Sequence, residues 1–164
     1  MKNLIAFTVL FLFFNTINAQ SGYYIKFEGI IGESMEKDHE GWSDLLSVSQ
    51  TIQKLTGEIK ETNRIVCEKE LDKSSPKLQE AANNSYVIPK VEIHFTTSIS
   101  GAKQAYFIYE LKNVRILGYN LKGAGSGNVP SEEIVVSFEE IKVIYKEFYG
   151  SGKVKGTVEY LRKI

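Results

Sequence analysis

Apolar and polar residues alternate along most of the chain after residue 22, and this period predicts strands. In Tyr23–Ile31 (YYIKFEGII), Tyr23, Ile25 and Phe27 fall on one side, Tyr24 and Lys26 on the other. Lys90–Thr97 sets Val91, Ile93 and Phe95 against Glu92, His94 and Thr96. Gln104–Lys112 sets Ala105, Phe107, Tyr109 and Leu111 against polar and mixed partners. The same period predicts strands over Trp42–Gln53, Arg64–Leu71, Val114–Lys122, Glu132–Glu139, Lys142–Tyr149 and Lys153–Leu161. Punctuation falls between them: a turn around Gly57 in Leu55–Asn63, a hairpin turn in Ser98–Lys103 and a turn at Gly150-Ser151-Gly152. Two longer polar stretches read as loops, Gly32–Gly41 as an exposed one and Gly123–Pro130 as a flexible one.

One segment departs from the period. Within Leu71–Lys90, Leu78, Ala81 and Ala82 recur at helical spacing, with Ser75 as the expected N-cap and Pro76 at the first helical position. Asn83 and Asn84 weaken the helix, and Pro89 stops any continuation. A helix this short is unstable alone and must dock on the strands. Short strands at this spacing with one helix suggest a barrel or sandwich.

Some strands are apolar on both sides. Tyr106 and Ile108 lie opposite Phe107 and Tyr109, and Leu117, Tyr119 and Leu121 lie opposite Val114 and Ile116. Only one side of a small barrel is core, so the other side is expected to meet the helix or another chain. Tyr106, Ile108, Leu117 and Tyr119 are therefore expected subunit contacts.

The first residues belong to a different class. Lys2, the apolar run Leu4–Phe14 and the small-residue site Ile17-Asn18-Ala19 describe a signal peptide cleaved after Ala19. Gln20 at the cut excludes the lipoprotein route. Removing 19 of 164 residues leaves 145, residues 20–164, the size of a single domain. Nothing after residue 19 is long and apolar enough to be a transmembrane helix, and export to the periplasm or beyond follows. The whole chain has 20 basic and 20 acidic side chains. That balance argues against nucleic acid as a partner and permits close self-association. Cys67 is the only cysteine, so no internal disulfide forms.

No cluster promises catalysis. His39, in the run Glu36-Lys37-Asp38-His39-Glu40, and His94 are far apart in sequence and each is alone. Gly123–Gly127 lacks the Lys-Ser/Thr ending of a phosphate loop. Cys67 sits in an expected strand with no nearby histidine and reads as a buried thiol. The pairs Glu132/Glu133 and Glu139/Glu140 point their members to opposite faces of a strand. Asn83-Asn84-Ser85 matches a glycosylation sequon, a frequent chance pattern. The expectation is a non-enzyme with no metal and no cofactor.

Three stretches carry a resemblance. Gly32-Glu33-Ser34, Asp38-His39, Trp42, Leu45-Leu46-Ser47 and Ser49-Gln50 form the first. Asp72-Lys73-Ser74-Ser75-Pro76-Lys77-Leu78, Glu80-Ala81 and Ile88-Pro89 form the second. Tyr106, Tyr109, Leu111, Val114, the glycine-rich loop, Pro130, Glu132 or Glu133, Val135-Val136-Ser137-Phe138, Ile141 and Tyr145 form the third. In this order and spacing, over about Tyr23–Tyr149, they resemble the haemolysin-coregulated protein (Hcp) family, tube proteins of the bacterial type VI secretion system. The resemblance implies a mainly β fold, two antiparallel sheets forming a small β-barrel with one short α-helix. It implies hexameric rings that stack into a hollow tube, secreted effectors or other secretion-apparatus proteins as partners, and no catalytic residues. It also implies that Gly32–Gly41 reaches a neighbouring ring, which adds Glu33, Ser34, His39 and Trp42 to the expected subunit contacts. Tube proteins of that family lack a signal peptide, and this chain differs there. The alternative is an exported monomeric binding module that holds an envelope or extracellular partner through loops Gly32–Gly41 and Gly123–Pro130.

Overall fold

The computed structural model describes residues 21–52, 64–123, 125, 127 and 129–164. The expected signal peptide and the turn around Gly57 lie outside the described residues. Among the described residues, nine strands and one helix follow in the order β1 (Gly22–Phe27), β2 (Ser43–Leu45), β3 (Ser47–Gln50), β4 (Arg64–Glu70), α1 (Ser75–Asn84), β5 (Ile88–Ile99), β6 (Ala102–Lys122), β7 (Ser131–Ser137), β8 (Glu140–Phe148) and β9 (Val154–Lys163). All pairings are antiparallel.

β6 organises the wall. Its first half pairs with β5 on one edge and β8 on the other, and its second half pairs with β7. One sheet thus runs β2-β1-β5-β6-β8-β9, the other β6-β7-β4-β3. The alternation predicts two strands over 104–122, and the structure joins them. Asn113 takes φ 52° and bends the strand where its partners change, without breaking it. Its side-chain amide donates to Glu139 Oε2 at 2.7 Å, which holds the bend. Asparagine tolerates this left-handed conformation better than most side chains. At the far ends of the sheets, Leu46 alone links β2 to β3, and its N–H donates to Glu68 O at 2.7 Å. The chain itself, not a ladder, carries the wall across this corner. The expected single strand over 42–53 is therefore two short strands in different sheets. The wall is barrel-like without ladder closure. Likewise the strand expected over 23–31 stops at Phe27, where Gly29 at φ 81° turns the chain.

The inward positions form one core, with Ile25, Ile65, Val91, Leu111, Ile134 and Val136 fully or almost fully buried. Cys67 joins them, and burial pushes its thiol up to about 12. It is chemically inert at neutral pH. α1 lies against this core through Leu78 and Ala81, as the helical spacing predicts. Its start differs from the expectation. Ser74 occupies the N-cap position without a side-chain cap bond, and Ser75 is the first helical residue. The Ser75 hydroxyl is engaged elsewhere, with Glu132.

The β5–β6 hairpin turns through Ser100 and Gly101, with φ 54° and 77° and the pair Ile99↔Ala102 closing it. Two positive φ values mark the tight turn type that suits twisted strands, and asparagine-glycine is its favoured sequence. Ser100→Asn is expected to raise stability by about 0.5 kcal/mol and Ser100→Val to lower it by more, because a β-branched side chain resists this region. Thermal unfolding of both variants checks the sign.

Candidate assembly interface

The sheet that contains β8 and β9 outruns the core, and its two faces differ in chemistry. On the core side the rows continue past Leu111 and Ile141 into Tyr109–Val143–Tyr160 and then Phe107–Tyr145–Val158. Phe95, Phe107 and Tyr109 meet edge to face at ring-centroid distances of 5.2–5.6 Å, and Tyr23 adds a fourth ring at 5.2 Å from Phe95. These rings are partly buried, Phe95 and Tyr109 against the edge of the core, and burial raises the Tyr109 hydroxyl above its usual range. Farther out, Val158 is 71% exposed and Tyr160 57%. The opposite face carries ion pairs around the buried Ile108 and Ile144 and the exposed Leu161: Lys112 on Glu140 at 2.6 Å, Lys142 on Glu159 at 2.9 Å and Lys90 on Glu92 at 3.0 Å. One face of this sheet is left without the cover that apolar side chains require.

Segment 32–41 sits on the β1 end of the same sheet. Gly32 N–H donates to Gly41 O at 2.7 Å, and Ser34 N–H to Trp42 O at 2.8 Å. A side chain at position 32 would collide with the Trp42 carbonyl, only 2.2 Å from an added Cβ. This close approach explains the glycine at the neck. Ser34 is buried and donates its hydroxyl to Asp44 at 3.0 Å. His39 turns inward, stacks on Tyr24 at 4.2 Å and meets Trp42 edge-on at 4.9 Å. Its Nε2 lies 2.9 Å from His94 Nδ1. Met35 faces outward and is largely exposed.

A buried network braces the opposite sheet at the start of α1. Lys69 and Glu132 face each other across β4 and β7, both fully buried, at 2.7 Å. Lys69 Nζ also reaches Asp72 at 2.9 Å. Glu132 accepts from the Ser75 and Tyr119 hydroxyls. Asp72 accepts from Ser43 Oγ at 2.7 Å and Ser74 N–H at 2.8 Å. Burial works against the Asp72 charge, but the bonds from Ser43, Ser74 and Lys69 outweigh it and hold the carboxyl below its usual range. Burial and the adjacent Glu132 raise the Tyr119 hydroxyl. Every charged member has an opposite charge and further hydrogen bonds, the condition for burying it.

The expected contact residues separate by exposure. Ser34, His39, Trp42 and Ile108 are buried within their own chain, and Tyr106 and Tyr119 are half-buried. Glu33 and Leu117 are exposed. Glu33 accepts from Lys73 N–H at 3.1 Å, and Leu117 protrudes at the irregularity between Ile116 and Gly118 in the β6–β7 register. The alternation expects Phe107 and Tyr109 to face the core and Tyr106 and Ile108 to face out. In the structure this side still packs against the core at Tyr109 and runs past it at Phe107, so Tyr145, Val158 and Tyr160 become the exposed apolar positions. The ion pairs across β6, β8 and β9 were visible only once register was known. His39 and His94, each alone in sequence, are brought together. Among the described residues no group of three His, Cys, Asp or Glu side chains is arranged to hold a metal ion, and no helix is long and apolar enough to cross a membrane.

The family model for the type VI secretion system effector Hcp matches residues 24–145. The chain belongs to the Hcp family. Solved structures agree on this fold. Hcp1 from Salmonella typhimurium superposes with a TM-score of 0.72 at 22% identity, covering 87% of this chain and 94% of that one. A type VI secretion system effector from Yersinia pestis gives 0.71 at 20% identity, covering 87% and 99%. The secreted protein Hcp3 from Pseudomonas aeruginosa gives 0.62 at 18% identity, covering 85% and 98%. A search of curated proteins finds no match. The matched region spans β2 to β7, α1 and segment 32–41, with most of β1 and β8. β9 lies beyond it.

Proposed function

We infer that the mature chain is a non-enzymatic, ring-forming component of a type VI secretion tube, exported through its signal peptide. The observation that carries this reading is the apolar face of β6, β8 and β9, which runs past the core with Tyr145, Val158 and Tyr160 exposed, while the other face is crossed by ion pairs. A contact that joins this face to a different surface of the next copy closes into a ring, and a second such contact stacks rings. Glu33, Leu117 and the outward side of segment 32–41 are the expected surfaces for the second contact. Hexameric rings, with small secreted effectors in the lumen, are the arrangement the family resemblance supports.

Sedimentation and electron microscopy of residues 20–164 test it. The expected result is six-membered rings from the unmodified chain and monomers from Tyr145→Asp/Val158→Asp with an unchanged circular dichroism spectrum. A unmodified chain that stays monomeric at high concentration replaces this reading with the exported binding module. Export is checked separately by mass spectrometry, where the expected mature N-terminus is Gln20.

A further inference from the structure

Segment 32–41 is held against the barrel in three places. Its neck is closed by the backbone bonds of Gly32, Ser34 and Gly41. Its flank is held by Glu36, whose carboxylate accepts from Lys103 Nζ on β6 and from the Tyr24 hydroxyl. Its third hold is His39, wedged against Tyr24 and Trp42 and bonded to His94 on β5.

The third hold has a protonation limit set by geometry. His39 Nδ1 is the one buried side-chain nitrogen or oxygen among the described residues without a hydrogen-bond partner. A bare imidazole nitrogen tolerates such a site far better than an N–H, which would lose its water and gain no acceptor. His39 therefore carries its hydrogen on Nε2 and donates it to His94 Nδ1, and His94 carries its own on Nε2. One added proton has two destinations. On His39 it must go to Nδ1, where no acceptor waits. On His94 it must go to Nδ1, which obliges His39 to move its hydrogen from Nε2 to the same orphaned Nδ1. Either way a buried N–H is stranded. A second added proton sets two imidazolium rings nitrogen to nitrogen.

We propose that the His39–His94 pair is an acid-operated latch, which keeps segment 32–41 folded onto β5 while both rings are neutral and releases it as a free arm when the pair is protonated. The charged surroundings come from every element packed there: Glu36 and Asp38 on the segment, Tyr24 and Lys26 on β1, Asp44 on β2, Lys90 and Glu92 on β5, Lys103 on β6 and Lys146 on β8. Burial lowers the His39 ring, Asp38, Glu36 and Asp44 oppose it, and burial prevails. Burial also lowers His94, to about 4, with neighbouring His39, Lys146 and Lys90 acting in the same direction against Glu92. Both folded values lie below that of a free imidazole, about 6.5. The closed segment therefore has this contribution in full above about 6.5 and loses it as pH falls toward about 4. The Lys103 bond lowers Glu36 below the usual carboxylate range, so that hold persists through the upper part of the window.

The latch belongs to one chain and stands whether or not rings form. Hydrogen exchange on the mature chain tests it, with the mass recorded at each pH so that disassembly and release are told apart. After correction for intrinsic exchange, residues 33–41 are expected to exchange about tenfold faster or more on acidification, with β5–β7 unchanged. Nitrogen-15 spectra are expected to show the His39 hydrogen on Nε2 at neutral pH, and imidazolium signals rising with the same midpoint as exchange. His39→Gln places an amide that donates to neutral His94 and, after a half turn, accepts from protonated His94. Its exchange is expected to stay flat across the window. Unchanged exchange in the unmodified chain, an imidazolium pair with the segment still closed, or the same acid step in His39→Gln would overturn the proposal.

Discussion

Lys69→Met is expected to lower the stability of the fold by about 3–5 kcal/mol, the usual consequence of removing one partner from a buried ion pair. The side chain is fully buried and the methionine fits the same volume, so the loss is electrostatic. Glu132 and Asp72 would remain inside without their cation, although Ser75, Tyr119, Ser43 and Ser74 still donate to them. For a domain of this size the melting temperature falls by about 10–20 °C. The sign of the pH dependence follows from the stranded carboxylates. Lys69 is one of the groups that hold the Asp72 carboxyl low, so in the variant Asp72 binds a proton more readily in the folded state than before, and the deficit shrinks as pH falls through the carboxylate range. Lys69→Met/Glu132→Gln is expected to recover most of the loss, because the amide carries no charge, its oxygen accepts from one of the Ser75 and Tyr119 hydroxyls, and its NH2 donates to the other hydroxyl oxygen. Thermal unfolding of the three proteins at neutral and acid pH decides it; a Lys69→Met loss below about 1 kcal/mol would place the pair with ordinary surface bridges.

Leu78→Ala is the second large effect, with an expected cost of about 2–5 kcal/mol. Leu78 is fully buried and belongs to the one core cluster that joins both sheets. α1 has 10 residues, too few to hold its shape in water without that contact. Its first turn is also tied to Glu132 through Ser75, so loosening the helix disturbs the buried charges as well as the packing. Urea unfolding is the measurement, with an unchanged slope and a lower midpoint expected. Gln79→Ala, on the exposed side of the same helix, should stay within about 0.5 kcal/mol of the unmodified chain.

Local features of the fold were legible in the sequence wherever one residue type has one physical meaning. Period-two alternation located the strands, Gly101 located the hairpin, and the Leu78–Ala81–Ala82 spacing located the helix and its buried face. Alternation also separated Glu132 from Glu133, and Glu132 is indeed the one inside. What stayed hidden depends on register. Lys69 and Glu132 are 63 positions apart and meet because β4 and β7 pair in one alignment. His39 and His94 are separated by 55 positions and meet because a loop folds back over its own sheet. The helix start shifted by one residue for a similar reason: the Ser75 hydroxyl donates to the buried Glu132 and accepts from Asp72 N–H, contacts that register and the preceding turn supply. The bend at Asn113 was read as a break because positive φ leaves no mark on alternation.

β6 sets how the subunit answers a load. Its 21 residues span about 70 Å, less what the bend at Asn113 removes. A pull along it is resisted by ladders to β5, β7 and β8 at once, and the bonds of each ladder lie across the direction of the force. They must slide together rather than open one after another, as they would in a hairpin peeled from its end. A load along β6 thus passes through one continuous covalent tie. The subunit is stiff along that strand and more compliant at the seam between Leu45 and Ser47, where β2 and β3 share no ladder.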